Sequence, residues 1–378
     1  MASGRSFRLL VLGGYGHFGG RICRALGNDA TLIVAGRDAH KAQQAARALG
    51  TAHEGVALDY TATDLAQRLR ALRVNAVVHT CGPFQGQNYH VAQACIAAGA
   101  HYLDLADGRD FVAGIGIGIS TSALDAAARA ADVLVVSGAS TLPALSSAVI
   151  DEYIGHFARL DTIDISIAPG QQTPRGVATL EAVLSYCGKP FTVWEAGRWQ
   201  TAYGWQDVHA ATYPEFGRRW LARCDVPDLA LFPQRYAGVQ RVRFDAGLEV
   251  KLGQIAFWLL AGLVRVGVIA DASRYARQLQ ATGRHFDRLG SDTGGMHVGL
   301  GGMDADGQPM RVDWHLVARR GHGPEIPCVP AIVLARKLAA GTLTARGATP
   351  CMGLMSLTEF AEAVARAQLD IAWRTYFP

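Results

Sequence analysis

The chain has 378 residues, of which 50% are hydrophobic and 18% charged, and its net charge is +4. This composition excludes an extensively disordered chain, and the length predicts two or three domains that each bury a core. Basic residues form no run longer than a pair such as Arg218-Arg219, so we expect no nucleic-acid partner.

Two further patterns bear on metals and membranes. The seven cysteines are scattered and form no C-x-x-C pair, so we expect neither a disulfide framework nor a metal site. The most apolar stretch, Ile255 to Ala270, is interrupted by Arg265 and too short to span a bilayer. Because the N-terminus also lacks a signal-peptide pattern, we expect a cytoplasmic protein without a membrane partner.

The first 140 residues alternate strand and helix signals. Continuous apolar runs predict strands at Phe7–Leu12, Thr31–Ala35, Val56–Leu58, Ala76–His79, Tyr102–Leu105 and Val133–Val136. Helices are predicted between them at Gly19–Leu26, Asp38–Leu49, Leu65–Leu72, Tyr89–Ala98 and Leu124–Ala130. Repeated strand–helix units predict an α/β domain with a doubly wound parallel sheet, the Rossmann fold.

The pattern changes after residue 140. Thr162–Ile167 alternates polar and apolar residues like a strand with one exposed face. Gly299–Asp306 and Gln308–Val317 predict a hairpin around the turn Asp306-Gly307. The segment from Phe191 to Phe232 is expected to be largely irregular. These features predict a C-terminal α+β domain with a mostly antiparallel sheet.

The sequence therefore predicts two domains with different tasks. Residues 1–140 form the cofactor-binding domain, and residues 141–330 form the domain that binds the substrate. Helices within residues 331–378 are expected to pack back onto the first domain.

A glycine-rich loop joins the first predicted strand to the first helix. It contains both Gly14-x-Gly16-x-x-Gly19 and Gly13-x-x-Gly16-x-x-Gly19, and the sequence does not decide between these registers. Bare backbone at this place lets a pyrophosphate approach the N–H groups of the helix N-terminus. The candidate cofactor-binding residues are Gly13, Gly14, Tyr15, Gly16, His17, Phe18 and Gly19.

The end of the second strand indicates which dinucleotide is bound. NAD enzymes usually carry an acidic residue there, whereas this chain has Arg37, with Lys41 nearby. An arginine is suited to pair with the 2′-phosphate of NADP, so we favour NADP over NAD. In the alternative interpretation, Arg37 is a solvated loop residue and Asp38 only caps its helix.

Two later loops follow parallel strands and should meet the cofactor at the same sheet edge. Asp59 is placed to contact the adenine. The second loop is expected to run beside the pyrophosphate and nicotinamide, and it contributes Thr80, Cys81, Gly82 and Pro83. No paired histidine supports Cys81 as a nucleophile.

Three segments carry a family resemblance. The opening VLGGYGHFGGRI, the stretch Cys81–Val112 and the stretch Val136–Asp151 together resemble the saccharopine dehydrogenase family. The resemblance implies a Rossmann domain, a catalytic α+β domain and a substrate bound in the cleft. It also implies hydride transfer between NAD(P)H and an imine carbon, which forms or cleaves a secondary amine. Members that form amino acids commonly carry an Asp-Pro-Gly turn, which Gly138–Ala144 lacks, and this puts a saccharopine-like substrate in doubt.

Four residues are candidates for the chemistry. Asp104 and Asp107 follow the fifth strand, and either is placed to exchange a proton with a substrate amine. Asp104 has the alternative role of binding loop amides. Ser140 is placed to bind a carbonyl or carboxylate, or it caps a helix. Arg175 is a candidate anchor for an anionic group, or a surface arginine.

We therefore expect an NADP-dependent oxidoreductase that acts on a C–N or C=O bond of a small, carboxylated substrate. One alternative is reduction of an apolar or lipid-like C=C or C=O substrate, with Ile255–Ala270 as an apolar lid or a membrane-facing surface. A non-catalytic NADP sensor is the other. The same apolar stretch makes a homodimer a further hypothesis.

Overall fold

The computed structural model describes residues 7–116, 119–174 and 176–377. The chain divides into two compact units. The first unit comprises Met1–Leu145 and Glu325–Ala367, and the second comprises Ser146–Pro324 and Gln368–Pro378. Each unit is built from both helices and strands.

The elements follow in chain order. The strands are β1 Arg8–Leu12, β2 Thr31–Gly36, β3 Glu54–Ala57, β4 Ala76–His79, β5 His101–Asp104, β6 Leu134–Ser137, β7 Arg159–Ala168, β8 Pro190–Glu195, β9 Arg198–Tyr203, β10 His209–Tyr213, β11 Gly217–Arg223, β12 Arg241–Leu248, β13 Gly294–Met303, β14 Pro309–Ala318, β15 Gly347–Pro350 and β16 Ile371–Tyr376. The α-helices are α1 Gly19–Leu26, α2 Ala39–Leu49, α3 Leu65–Ala71, α4 His90–Ala98, α5 Arg109–Gly116, α6 Ile119–Ala130, α7 Ser146–Tyr153, α8 Val177–Ser185, α9 Asp228–Arg235, α10 Lys251–Arg265, α11 Ala276–Gly283, α12 Val329–Ala339 and α13 Leu357–Arg366.

The first unit contains a parallel sheet of the Rossmann type. Seven strands of the described chain lie in the order β15-β6-β5-β4-β1-β2-β3, and all neighbouring pairs are parallel. Apart from the added β15, this is the strand order of a dinucleotide-binding sheet. The central strands β1, β2 and β4 are buried because their apolar runs face helices on both sides. The predicted α/β fold is confirmed.

Residues near the C-terminus complete the first unit. Strand β15 pairs in parallel with β6, and α12 contacts α1. Arg336 of α12 donates to Asp29 at 2.8 Å, and nearly every side chain of α12 is buried. The first unit is therefore discontinuous in sequence.

The second unit contains a larger, mixed sheet. Nine strands of the described chain take part: seven lie in the order β10-β11-β12-β7-β13-β14-β16, while β8 pairs with β12 and β9 with β8. Only β7 and β12 run parallel among the pairs found there. Strands β13 and β14 form the predicted hairpin, with Gly307 at a φ of +75° in its turn. The prediction of a mostly antiparallel α+β unit is confirmed.

One sequence prediction about this unit was wrong. The segment from Phe191 to Phe232 is not irregular but contains most of β8, all of β9, β10 and β11, and part of α9. Strands β8 and β9 meet in a tight turn at Ala196 and Gly197, both with positive φ, and Trp194 packs on Trp199 across it at 5.0 Å. Cross-strand aromatic packing stabilises a hairpin whose Ala-Gly turn is a weak sequence signal.

Candidate cofactor and active site

The glycine-rich loop forms a tight turn between β1 and α1. Gly13 has a φ of +77°, its N–H donates to the Ala35 carbonyl at 2.8 Å, and Gly16 donates to the Gly13 carbonyl at 2.7 Å. A β-carbon at Gly19 would overlap the Gly13 carbonyl oxygen, and one at Gly14 would lie 2.9 Å from the Val11 carbonyl oxygen. The glycines are therefore required by the close backbone approach itself.

The N-terminus of α1 is open for an anion. Phe18 precedes the helix without a side-chain cap, and the first turn carries no acidic residue. Within the described residues, the N–H groups of His17, Phe18 and Gly19 donate to no acceptor. Free N–H groups and the positive end of the helix dipole both attract a phosphate. The loop is therefore suited to hold the pyrophosphate of a dinucleotide.

The end of β2 lies next to this loop. The Tyr15 ring covers Gly36, where a β-carbon would overlap it, and the Tyr15 hydroxyl accepts from the Asp38 N–H at 3.1 Å. Asp38 caps α2 as predicted, accepting from the Lys41 N–H at 3.1 Å. Lys41 also pairs with the Asp38 carboxylate at 3.5 Å, whereas Arg37 is exposed and has no ion-pair partner in the described chain.

Asp59 lies close to Arg37 after β3. Its carboxylate accepts from the Thr61 N–H at 2.9 Å and from the Thr61 hydroxyl at 2.8 Å. These hydrogen bonds, and more weakly the charge of Arg37, lower the pKa of Asp59. The carboxylate is exposed, and its hydrogen bonds to Thr61 hold a turn after β3.

The loop after β4 touches the glycine-rich loop. The Thr80 hydroxyl donates to the Leu12 carbonyl at 2.7 Å, and a β-carbon at Gly13 would lie 2.7 Å from the Thr80 oxygen. Gln87 holds the loop by donating to the carbonyls of Cys81 and Pro83, and the Gly82–Pro83 peptide is cis. Burial raises the pKa of the Cys81 thiol to about 11, so it remains protonated and is a poor nucleophile.

A buried carboxyl group organises the turn after β6. Oδ1 of Asp104 accepts from the Ser137 hydroxyl at 3.0 Å, the Gly138 N–H at 2.8 Å and the Ala106 N–H at 2.9 Å. Burial raises the pKa of Asp104 to about 6 despite these hydrogen bonds. The alternative role of Asp104, binding loop amides, matches this geometry.

A second buried polar side chain, His79, lies at the same sheet edge and was not among the predicted site residues. His79 ends β4, is almost fully buried, and its Nδ1 lies 3.1 Å from the Tyr102 hydroxyl. Burial lowers the pKa of His79 to about 3, so the imidazole is neutral at pH 7. His79 and Asp104 are opposite each other in the register of β4 and β5. The sequence did carry a signal for His79, because a polar residue ends each of the two adjacent apolar strands β4 and β5.

The remaining catalytic candidates make fewer hydrogen bonds than Asp104. Asp107 is exposed, and its carboxylate accepts from Gln85 at 3.3 Å. Ser140 is nearly buried, and its N–H donates to the Gly138 carbonyl at 2.7 Å, which brings it to the turn that Asp104 organises. Arg175 lies outside the described residues.

The second unit contains a cavity of about 570 Å³. Four arginines line it: Arg223, Arg241, Arg243 and Arg265. The first three pair with carboxylates, and Arg265 stacks 4.0 Å above the Tyr203 ring. Because most of this charge is neutralised, the cavity does not indicate an anionic ligand.

Among the described residues, no three His, Cys, Asp or Glu side chains are grouped as metal ligands. No helix in that part of the chain has the length and apolar character to cross a membrane.

Comparison with known proteins identifies the first unit. The family model for the saccharopine dehydrogenase NADP binding domain matches residues 9–151. Saccharopine dehydrogenase (L-Glu forming) from Saccharomyces cerevisiae superposes with a TM-score of 0.68 and 13% identity, over 98% of this chain and 100% of that chain. No curated protein sequence matches the chain.

A second structure extends the similarity of fold. Homospermidine synthase from Legionella pneumophila, solved in complex with NAD, superposes with a TM-score of 0.61 and 8% identity, over 98% of this chain and 91% of that chain. Identities this low establish a shared fold only. The domain match therefore identifies residues 9–151 as a saccharopine dehydrogenase-type NADP-binding domain, which supports an NAD(P)-dependent oxidoreductase.

Proposed function

We propose that the chain is an NADP-dependent oxidoreductase that transfers a hydride to or from a C–N or C=O bond of a small, carboxylated molecule. The choice of NADP is carried by Arg37, exposed at the end of β2 and without a carboxylate partner in the described chain. An acidic residue there would favour the ribose hydroxyl of NAD. The matched domain model, named for NADP binding, supports the same cofactor.

The residues proposed to hold the dinucleotide lie along one sheet edge. Gly13 to Gly19 would face the pyrophosphate, Arg37 and Lys41 the 2′-phosphate, and Asp59 the adenosine. Thr80 to Pro83 would lie beside the nicotinamide half. When bound, the dinucleotide supplies or accepts a hydride at its nicotinamide ring.

We assign the two halves of the task to different parts of the chain. Residues 1–140, with helices from residues 331–378, are the proposed cofactor-binding domain. Residues 141–330 are the proposed substrate-binding domain. The large mixed sheet of the second unit supports the second assignment because it can carry binding residues on a rigid frame.

We assign proton exchange with the substrate to Asp107 rather than to Asp104. Asp104 is a positioning residue in this proposal because its Oδ1 is occupied by three donors from neighbouring loops. Asp107 is exposed and weakly hydrogen bonded, which leaves it free to exchange a proton with the substrate. Ser140 is proposed to bind a substrate oxygen, and Arg175 to anchor its carboxylate, the latter on sequence grounds alone.

The experiment is NADPH oxidation across a panel of 2-oxo acids, each with and without an amine. Reduction of the imine formed from the pair consumes one NADPH and one proton and yields one NADP⁺ and one secondary amine. We expect turnover that requires both the amine and the oxo acid, and a loss of about 100-fold in kcat/KM for Asp107→Asn. Turnover with the oxo acid alone would contradict the C–N assignment.

A second candidate is reduction of an apolar C=C or C=O substrate. It is favoured by the exposed apolar side chains of α10, among them Leu252 and Leu259. Long-chain enals and ketones in the same panel test it: oxidation of NADPH with these alone would replace the leading proposal. Tight NADPH binding without turnover on any member would indicate the sensor instead.

A further inference from the structure

Helix α10 carries an unusually exposed apolar face. Its side chains at Leu252, Ile255, Leu259 and Leu263 recur every three or four residues and so share one side of the helix. The apolar exposure extends to Trp258, Val266 and Val268, and these seven side chains are between 41% and 72% exposed. Contiguous exposure of this kind marks an interaction surface rather than ordinary solvent-facing residues.

The same part of the chain holds an excess of positive charge. Residues 251–290 contain six basic side chains, namely Lys251, Arg265, Arg274, Arg277, Arg284 and Arg288, against the two acidic side chains of Asp271 and Asp287. The net charge of this segment is +4, which equals that of the whole chain. The rest of the chain contains 30 basic and 30 acidic residues and is neutral.

Four of these arginines make no ion pair within the described residues. Arg274, Arg277, Arg284 and Arg288 are exposed, and none of them pairs with a carboxylate in the described chain. By contrast, arginines elsewhere in the chain make most of the long-range ion pairs, as Arg336 does with Asp29. The apolar side chains Tyr275 and Leu289 are exposed directly beside Arg274 and Arg288.

We propose that residues 251–290 dock on an anionic lipid surface, with α10 lying in the plane of the interface. Leu252, Ile255, Leu259 and Leu263 would enter the acyl boundary and Trp258 would lie at the headgroup level. The arginines that follow would contact lipid phosphates. The proposal departs from the expectation of no membrane partner, because peripheral docking needs no membrane-spanning helix. It does not depend on the proposed reaction.

Charge decides against a second copy of the chain on this face. A two-fold interface would bring the same segment of each chain together, so +4 would face +4. Repulsion between unpaired surface arginines opposes such an interface, whereas an anionic bilayer attracts them. A second copy of the chain, the homodimer hypothesis for this stretch, is therefore the disfavoured occupant.

The test is co-flotation of the full chain with lipid vesicles. We expect binding to phosphatidylcholine vesicles containing about 30% phosphatidylglycerol, weak binding to phosphatidylcholine alone, and release at high salt. Arg284→Glu with Arg288→Glu should weaken binding at least about tenfold. The matched control, Arg47→Glu with Arg73→Glu, makes the same change in net charge at exposed arginines outside the segment and should weaken it much less.

A tryptophan pair tests the apolar part. Trp258 is 44% exposed and Trp199 46%, so Trp258→Ser and Trp199→Ser remove similar exposed surface from different places. We expect only Trp258→Ser to reduce flotation.

Absence of vesicle binding, or equal binding to neutral and anionic vesicles, would overturn the proposal. So would a dimer in light scattering that Trp258→Ser dissociates, because a second copy would then cover the face.

Discussion

Two buried ionisable side chains, Asp104 and His79, end adjacent strands of the first sheet, and burial shifts their pKa values in opposite directions. Burial raises the pKa of Asp104 to about 6 and lowers that of His79 to about 3. Each shift favours the uncharged form, as expected where water is excluded. The folded chain therefore holds a neutral His79 at all physiological pH values, whereas Asp104 titrates within them.

Replacement of Asp104 by asparagine should alter the pH dependence of stability. Because its folded pKa is above the unfolded value near 4, the folded chain binds more protons between about pH 4 and pH 6. The stability contributed by protonated Asp104 is present below pH 4 and is lost as pH rises through 6. We expect Asp104→Asn to gain about 3 kcal/mol of unfolding free energy relative to the natural chain between pH 4 and pH 7, measured by urea denaturation. A pH-independent difference would contradict this.

Arg37 provides the residue-level test of cofactor choice. Arg37→Asp removes a cation and adds a carboxylate that repels a 2′-phosphate but accepts from a ribose hydroxyl. We expect the Kd for NADPH to rise at least about tenfold while that for NADH changes little, by titration calorimetry. Arg47→Asp, also exposed, is the control. Equal effects on the two dinucleotides would refute the role of Arg37.

Elements with continuous apolar runs were predictable, and elements held by distant partners were not. Strands β1, β2 and β4 are buried on both faces, so their sequences alone indicate them. Strand β15 consists of Gly-Ala-Thr-Pro and becomes a strand because β6 offers it a free edge. Helix α5 was likewise not predicted, since its short segment carries two glycines.

The same distinction applies to the candidate site. The glycine loop is local and its spacing is visible in the sequence, as is the cap that Asp38 forms on α2. The pairing of His79 with Tyr102 depends on the register of β4 and β5, which a single sequence does not specify. The ion pair between Arg21 and Glu325, at 3.0 Å, could not be predicted either, because the two residues lie far apart in the sequence.

Adjacent glycines at the start of α1 allow a matched test of the loop. A β-carbon at Gly19 would overlap the Gly13 carbonyl, whereas one at Gly20 would meet nothing nearer than 3.6 Å. We expect Gly19→Ala to weaken NADPH binding at least about tenfold by displacing the loop. Gly20→Ala should leave binding within about twofold and raise stability by up to about 1 kcal/mol through helix propensity. Titration calorimetry and thermal unfolding measure both, and similar binding by the two variants would contradict the packing argument.

At the scale of the whole molecule, the first unit is assembled from two separate parts of the chain. Helix α12 buries Val329, Ile332, Val333 and Leu334 within that unit, and β15 completes its sheet edge. Removing residues 325–367 would expose this apolar surface and an unpaired β6 edge.

A fragment ending at residue 145 should therefore fail to fold. We expect residues 1–145 alone to aggregate on expression, and residues 1–145 joined to 325–367 by a flexible linker to be monomeric, cooperative in unfolding and able to bind NADPH. Circular dichroism and size-exclusion chromatography distinguish the two. A well-folded shorter fragment would show that α12 and β15 are dispensable.

The central claim is that the open N-terminus of α1 and its glycine loop hold a nicotinamide dinucleotide. The most direct test is hydrogen–deuterium exchange of the full chain with and without NADPH. We predict that NADPH slows exchange at His17, Phe18 and Gly19, whose N–H groups have no acceptor in the described structure, and leaves β13 and β14 unchanged. Unchanged exchange at these three amides in the presence of saturating NADPH would contradict the assignment of the site.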